Sequence, residues 1–304
     1  MLRKENIRVA ILSAMLIALV LVWAQDLFVR LWYWIPNQRI MLSLRSRSAQ
    51  DDQKESIALH AQSWNTSETA VVVVDMWDQH WCKGKTEDRI NELAPAIDQF
   101  LTAARQKNIR IIHAPSDTLV YYYHHPSRKR SVAVHRKDIG TNMATDVLTL
   151  LNTERRAPYL IDQTHCPCEP DCKKGHPWTR QNEAIHIEDR DFILGEGYEL
   201  WSILERWGIA NVVLVGVHAN GCILSRPFGL RNLVRSGRRV VLCRDLTDVM
   251  FDPRKVPFTH AGAMEYVAAY IEKYLCPTIL SSDITQRPPF RFPEEEENLS
   301  NPTF

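Results

Sequence analysis

Asp75 and Cys222 are the two residues of this chain best placed to act together on a substrate. Asp75 closes the apolar run Val71 to Val74, and Cys222 follows Val212 to Val217 after a tight His218-Ala-Asn-Gly221 turn. If those runs are strands of an open parallel sheet, both residues lie outside strand C-termini, where ligands bind. A thiol opening a helix gains thiolate character from the helix dipole and the free backbone N–H groups. The same N–H groups can stabilise an oxyanion after attack on a carbonyl. A carboxylate opposite can take the thiol proton and pass it to a leaving group. The bland reading of such a cysteine is a small core residue. His218 and His80 are candidate proton carriers because imidazole titrates near neutrality, or else histidines bonded to backbone. Trp77, Trp81 and Tyr121 to Tyr123 read either as an aromatic pocket wall or as packing residues.

The elements around these residues alternate. Ala70 to Asp75 reads as a strand buried on both faces. Ile90 to Lys107 has apolar residues at helical spacing, Ile109 to His113 is a strand, and Tyr198 to Trp207 is helical. Asn211 to Val217 is a second buried strand, Ile223 to Ser236 a helix, Arg239 to Cys243 a strand and His260 to Tyr274 an amphipathic helix. Repeated strand-helix order with short connections predicts a three-layer, doubly wound α/β fold with a mostly parallel sheet. Its bounds are residues 70–276. Residues 37–69 read as a polar tether and 277–304 as a loosely held tail. Residues 127–190 read as an excursion, either covering an active-site mouth or forming a stapled surface insert.

Two motifs, VVVVDMWDQHWC and LVGVHANGCILSRPFGLRNLVRSGRRVVLCRDLTD, resemble the isochorismatase-like cysteine hydrolase superfamily, which includes nicotinamidases. The similarity runs from about Ala70 to Cys276 and implies a Rossmann-like fold with Asp75 as catalytic aspartate and Cys222 as nucleophile. It also implies a cis peptide between Val217 and His218, and an oxyanion hole built from the N–H groups of His218 and Cys222. The family's third catalytic group is a lysine. Here Asp191-Phe-Ile-Leu-Gly-Glu-Gly-Tyr198 places Gly195 or Glu196 at that position, and Lys173 and Lys174 lie in the insert. A carboxylate at that place would raise the thiol pKa. Glu196 therefore points away, or serves a different mechanism, or marks the loss of the activity. The usual Asp-x-Gln reads Asp75-Met76-Trp77, which argues against a nicotinamidase. Some relatives bind zinc through Asp-x-His. Asp117 is kept here, but Leu119 replaces the histidine, leaving Asp117 with His113, His124, His125 and His135 as a weak metal set.

Arg3, Lys4 and Arg8 precede an uncharged run from Val9 to Trp23, the pattern of an export signal or a retained anchor. Aromatic residues in Asp26 to Pro36 suit a membrane interface, so the domain is expected outside the cytoplasm. Seven cysteines, Cys82, Cys166, Cys168, Cys172, Cys222, Cys243 and Cys276, then suggest up to three disulfides and a free thiol. The rival for His165-Cys-Pro-Cys-Glu-Pro-Asp-Cys172 with His176 is a zinc site with three cysteines and a histidine.

In the 304 residues, 37 Lys+Arg balance 36 Asp+Glu, which disfavours nucleic acid as a partner. A hydrophobic content of 45% excludes wholesale disorder. No Gly-rich nucleotide loop occurs. The expected partners are a small-molecule substrate, a membrane through the N-terminal segment, and further copies of the chain. The expected function is cysteine-nucleophile hydrolysis of a small amide or related C–N bond, with no required cofactor. The alternative is a non-catalytic ligand- or partner-binding member of the same fold.

Overall fold

The structure, a computed structural model, describes residues 38–48, 56–134 and 166–293. The apolar N-terminal run, His135 and the end of the acidic tail lie outside the described residues. Among the described residues, no helix is long and apolar enough to cross a membrane.

Six parallel strands form the centre of the sheet: β3 (Thr69–Val74), β4 (Arg110–Ala114), β5 (Phe192–Ile193), β6 (Asn211–Gly216), β7 (Arg239–Thr247) and β8 (Thr278–Ile279). An antiparallel hairpin, β1 (Arg39–Ser48) and β2 (Ser56–Asn65), extends one edge to give the order β2-β1-β8-β7-β6-β3-β4-β5. The chain leaves β3 for β4 on one side, while β6 pairs on the other. The direction of winding therefore reverses between β3 and β6, where the expected site residues follow.

Alternation along β3 divides the core. Ala70, Val72 and Val74 pack on one face with residues of α3 (Gly197–Arg206), α4 (Cys222–Ser225), α5 (Leu230–Arg235) and α6 (His260–Tyr274). Val71 and Val73 pack on the other with Ile90, Leu93, Ile97 and Leu101 of α1 (Lys85–Gln106). The α/β, mostly parallel, three-layer architecture expected from the sequence is the one observed.

The boundaries differ. The supposed tether is a ten-residue strand pair in which Ile40, Leu42 and Leu44 are buried at alternate positions. Arg45 and Arg47 bind the hairpin to α6: Arg45 Nε lies 2.6 Å from Glu272 Oε1 and Arg47 Nε 3.1 Å from Glu272 Oε2. The start of the supposed tail supplies β8 and α7 (Ser282–Thr285), and Phe292 is buried in the core. The hairpin reads as polar because β1 buries only every second residue and β2 is largely exposed. The supposed insert contains a helix, α2 (Pro126–Ala133), which is weakly amphipathic and so gave little periodicity.

Gly216 ends β6 at φ 108°, and a Cβ there would stand 2.1 Å from Val74 O. Only glycine lets the two strand ends approach this closely. Gly216→Ala should cost about 3 kcal/mol or more, from strain and overpacking together. Gly208, at φ 60°, has open space around it, so Gly208→Ala should cost about 1 kcal/mol. Urea unfolding of the two variants measures the difference; equal midpoints would remove Gly216 from this role.

Candidate active site

Asp75 follows β3 directly, with φ 48° and no solvent exposure. Its Oδ1 accepts from Ser116 N at 2.8 Å, just beyond β4, and its Oδ2 accepts from Arg226 Nε at 3.0 Å. The Cys222 thiol lies beside the same carboxylate and near the Arg226 guanidinium. Asp75, Cys222 and Arg226 thus meet at the reversal point of the sheet.

Arg226 is where it is for a local reason. Helix α4, which Cys222 opens, is one turn long and ends at Arg226, whose φ and ψ of −62° and 154° are extended. Pro227 imposes that conformation, because the residue before a proline is pushed out of the helical region. The side chain then bridges Asp75 and Asp117, with Arg226 Nη2 3.1 Å from Asp117 Oδ2. Sequence reasoning missed this residue; its signal was an arginine before proline four residues beyond Cys222.

The protonation balance follows from burial. Burial pushes the Asp75 carboxyl above its usual range, and the Arg226 charge and the Ser116 donors oppose it. Burial also pushes the Cys222 thiol well above its ordinary value; the Asp75 charge adds to this and Arg226 opposes it. The expectation of a dipole-activated thiolate is therefore corrected. A four-residue helix has little dipole, and the pair rests as a neutral thiol beside a carboxylate of raised basicity.

The turn before Cys222 presents N–H groups. The peptide bond between Val217 and His218 is cis, at the place the resemblance implies. The Ala219 amide donates to Asp248 O, and those of Gly221 and Ile223 donate to His218 O. Among the described residues, no backbone bond engages the amides of His218 and Cys222. Asn220 anchors the turn by exchanging hydrogen bonds with the Met250 backbone at 2.6 and 3.2 Å.

His218 does not join Cys222. Its ring is buried with Nδ1 3.4 Å from Asp248 Oδ2, and neither ring nitrogen forms a hydrogen bond among the described residues. Asp248 is itself fully buried, pairing with Arg89 Nε at 2.9 Å and with His260 Nε2 at 2.6 Å. Burial disfavours its ionised form, but Arg89 and the two histidines outweigh that and hold its pKa well below the usual range. His80 packs edge-on to His218, with ring centroids 5.2 Å apart. Burial, then the His218 charge, lowers the His80 pKa to about 3, and its Nδ1 accepts from Cys82 N at 3.1 Å. His80 is therefore neutral at pH 7 with its single proton on Nε2, which corrects the expectation of a proton carrier.

Glu196 is corrected. It caps α3, its N–H donating to Glu199 Oε2 at 3.3 Å, while Gly195 N donates to the same oxygen at 3.0 Å. Arg128 Nη1 holds the other Glu199 oxygen at 2.7 Å. The place where the resemblance puts a lysine is therefore a clamped turn, and a Cβ on Gly195 would stand 2.4 Å from Leu119 Cδ1.

The weak metal set does not assemble. His113 is buried with Nδ1 3.1 Å from Gln181 Oε1 and Nε2 3.2 Å from Asp191 Oδ2. His124 is exposed beside Tyr123, His125 caps α2, and Asp117 pairs with Arg226. The disulfide expectation is also corrected, since all seven cysteines are free.

An arm of the excursion packs on the loop that follows β3. Trp178 stacks on Trp77 at 4.2 Å between ring centroids, and Asp78 accepts from Thr179 N and Arg180 N. Trp77, Trp178, His80 and His218 form a continuous aromatic row beside Asp75.

No family model matches the chain, and no curated protein does. Among solved structures, it is similar to a cysteine hydrolase from Pseudomonas syringae pv. phaseolicola at 17% identity and a TM-score of 0.45. That match covers 73% of this chain and 93% of that one. An isochorismatase family protein from Burkholderia thailandensis matches at 12% identity, 72% and 95% coverage, and a TM-score of 0.43. An isochorismatase from Pseudomonas putida gives 12% identity, 72% and 91% coverage, and a TM-score of 0.43.

The charges around the thiol set the direction of its response to substitution. One pKa unit is a tenfold change in thiolate well below the pKa. Arg226→Gln removes the charge that favours thiolate and should slow Cys222 alkylation at pH 7 by roughly tenfold. Peptide mass spectrometry against a denatured control reads the rate, and unchanged or faster labelling of Arg226→Gln would refute this arrangement.

Proposed function

We propose that the protein is a cysteine hydrolase of a small amide or related C–N bond. The observation that carries this reading is the convergence of Asp75, Cys222 and Arg226 beside a turn whose His218 and Cys222 amides meet no backbone carbonyl among the described residues. Asp75 takes the Cys222 proton as sulfur attacks the carbonyl carbon, so charge never rests on an isolated buried thiolate. The oxyanion that forms is received by the N–H groups of His218 and Cys222. Asp75 returns the proton to the leaving nitrogen as the C–N bond breaks, leaving a thioester. Water then attacks the thioester, giving its proton to Asp75, and the carboxylic acid product leaves as the proton returns to sulfur.

Arg226 stays charged throughout, since guanidinium does not deprotonate in proteins. It favours ionised Asp75 in the resting pair and offsets negative charge on sulfur during attack. The non-catalytic alternative drew its support from the missing lysine, and a cation from another element removes that support. The basic and apolar N-terminus supports a domain displayed outside the cytoplasm, anchored or released.

Ammonia release from a panel of small primary amides tests the reaction, with a thioester adduct on Cys222 sought by mass spectrometry. Cys222→Ser should lower turnover on the order of 10⁴-fold or more. Arg226→Gln should lower kcat by about 100-fold, with Arg226→Lys recovering part of it. Ligand binding without turnover or adduct across the panel, undisturbed by Cys222→Ser, would establish the non-catalytic reading instead.

A further inference from the structure

Four cysteines that the proposed chemistry does not use converge from two distant segments. Cys82 lies between β3 and α1, while Cys166, Cys168 and Cys172 lie in the excursion. Their Sγ atoms all lie within 4.8 Å of one another, and the Cys82 and Cys168 sulfurs are 3.5 Å apart. A tetrahedral zinc ion with Zn–S near ~2.3 Å requires S–S separations of ~3.8 Å, so small shifts would seat one. A disulfide needs ~2.05 Å and would use the sulfurs in pairs.

Backbone amides are aimed at the sulfurs. Cys172 N donates to Cys166 Sγ at 3.2 Å, and the Cys168 amide lies beside the same sulfur. The Thr86 amide faces Cys82, and the Lys83 amide faces Cys172. Such N–H···S bonds favour the charged sulfur that ligates a metal. The spacing of Cys166 to Cys172 is tight enough to supply three ligands from one loop, and the fourth comes from Cys82, not His176. His176 is exposed and packs edge-on against Trp178. Among the described residues, this is the one group of three or more His, Cys, Asp or Glu side chains that converge closely enough for an ion.

We propose that Cys82, Cys166, Cys168 and Cys172 bind a single zinc ion that staples the excursion to the loop after β3. The four thiols release their protons to solvent as the thiolates bind, with no oxidant or reductant involved. The staple has a clear mechanical target. Trp77 and His80 precede Cys82 on one side of the ion, and Trp178 follows Cys172 on the other. The ion therefore holds both partners of the tryptophan stack that borders the candidate site. This site is separate from Asp75, Cys222 and Arg226, and its occupancy is measured without any substrate.

Elemental analysis of the full chain, purified under reducing conditions and dialysed against zinc alone, should give one zinc per chain. Cys82→Ser and Cys172→Ser should each lose it, and Cys222→Ser should keep it. Should the cluster variants fail to fold, cobalt exchanged into the unaltered chain gives an independent answer. Four thiolates should produce intense sulfur-to-cobalt charge-transfer bands and the visible bands of a tetrahedral site. Chelation should make four further thiols reactive and raise hydrogen exchange across residues 166–182. Failure of the reduced chain to bind zinc or cobalt would overturn the proposal, as would peptide maps showing these cysteines paired as disulfides.

Discussion

A carboxylate with no access to water organises this molecule. Removing the Asp75 charge from solvent without partners would cost several kcal/mol, and three separate segments supply what water would have given. Ser116 beyond β4 contributes an amide, Cys222 beyond β6 a thiol, and Arg226 beyond α4 a guanidinium. Each of those groups can reach Asp75 because β3 lies between β4 and β6 at the middle of the sheet. The close approach of Gly216 to Val74 is part of the same convergence.

The positive charge of the site shows how one electrostatic requirement can be met by different parts of one fold. At the turn where the resemblance calls for a lysine, Glu199 and Arg128 clamp the backbone and Leu119 fills the space. Arg226 enters from the end of the helix that Cys222 opens instead. The exchange changes the chemistry, since an ammonium can lend a proton and a guanidinium cannot. In the proposed reaction proton transfer falls to Asp75 alone, and its raised basicity suits that work.

Legibility in the sequence followed the range of the interactions involved. The β-branched runs ending at Asp75 and preceding Cys222 mark parallel strands by local composition, so the sheet and its two principal residues could be read directly. The hairpin was obscured because β1 and β2 carry polar residues on a solvent face, and the buried stripe of Ile40, Leu42 and Leu44 is short. Arg226 was hidden in plain view, its role set by a proline and by a partner 151 residues away. The cysteine loop suggested a local ligand set, but Cys82 stands 86 residues from Cys168, and only the fold joins them. His113 looked like a ligand by type and proved to be a buried strut between Gln181 and Asp191.

The hairpin at the sheet edge also bears on how the chain is made. β1 is synthesised before the rest of the domain, yet its partner toward the centre is β8, through Arg45 opposite Thr278. The ion-pair anchors of the hairpin, Glu265 and Glu272, are likewise near the far end. Until those residues emerge from the ribosome, Ile40, Leu42 and Leu44 have no finished surface to cover. Contacts of such sequence separation are slow to form and leave strand edges open meanwhile. The first of the described strands are thus among the last to dock, and the hairpin closes the domain as a latch fastened by residues far apart along it.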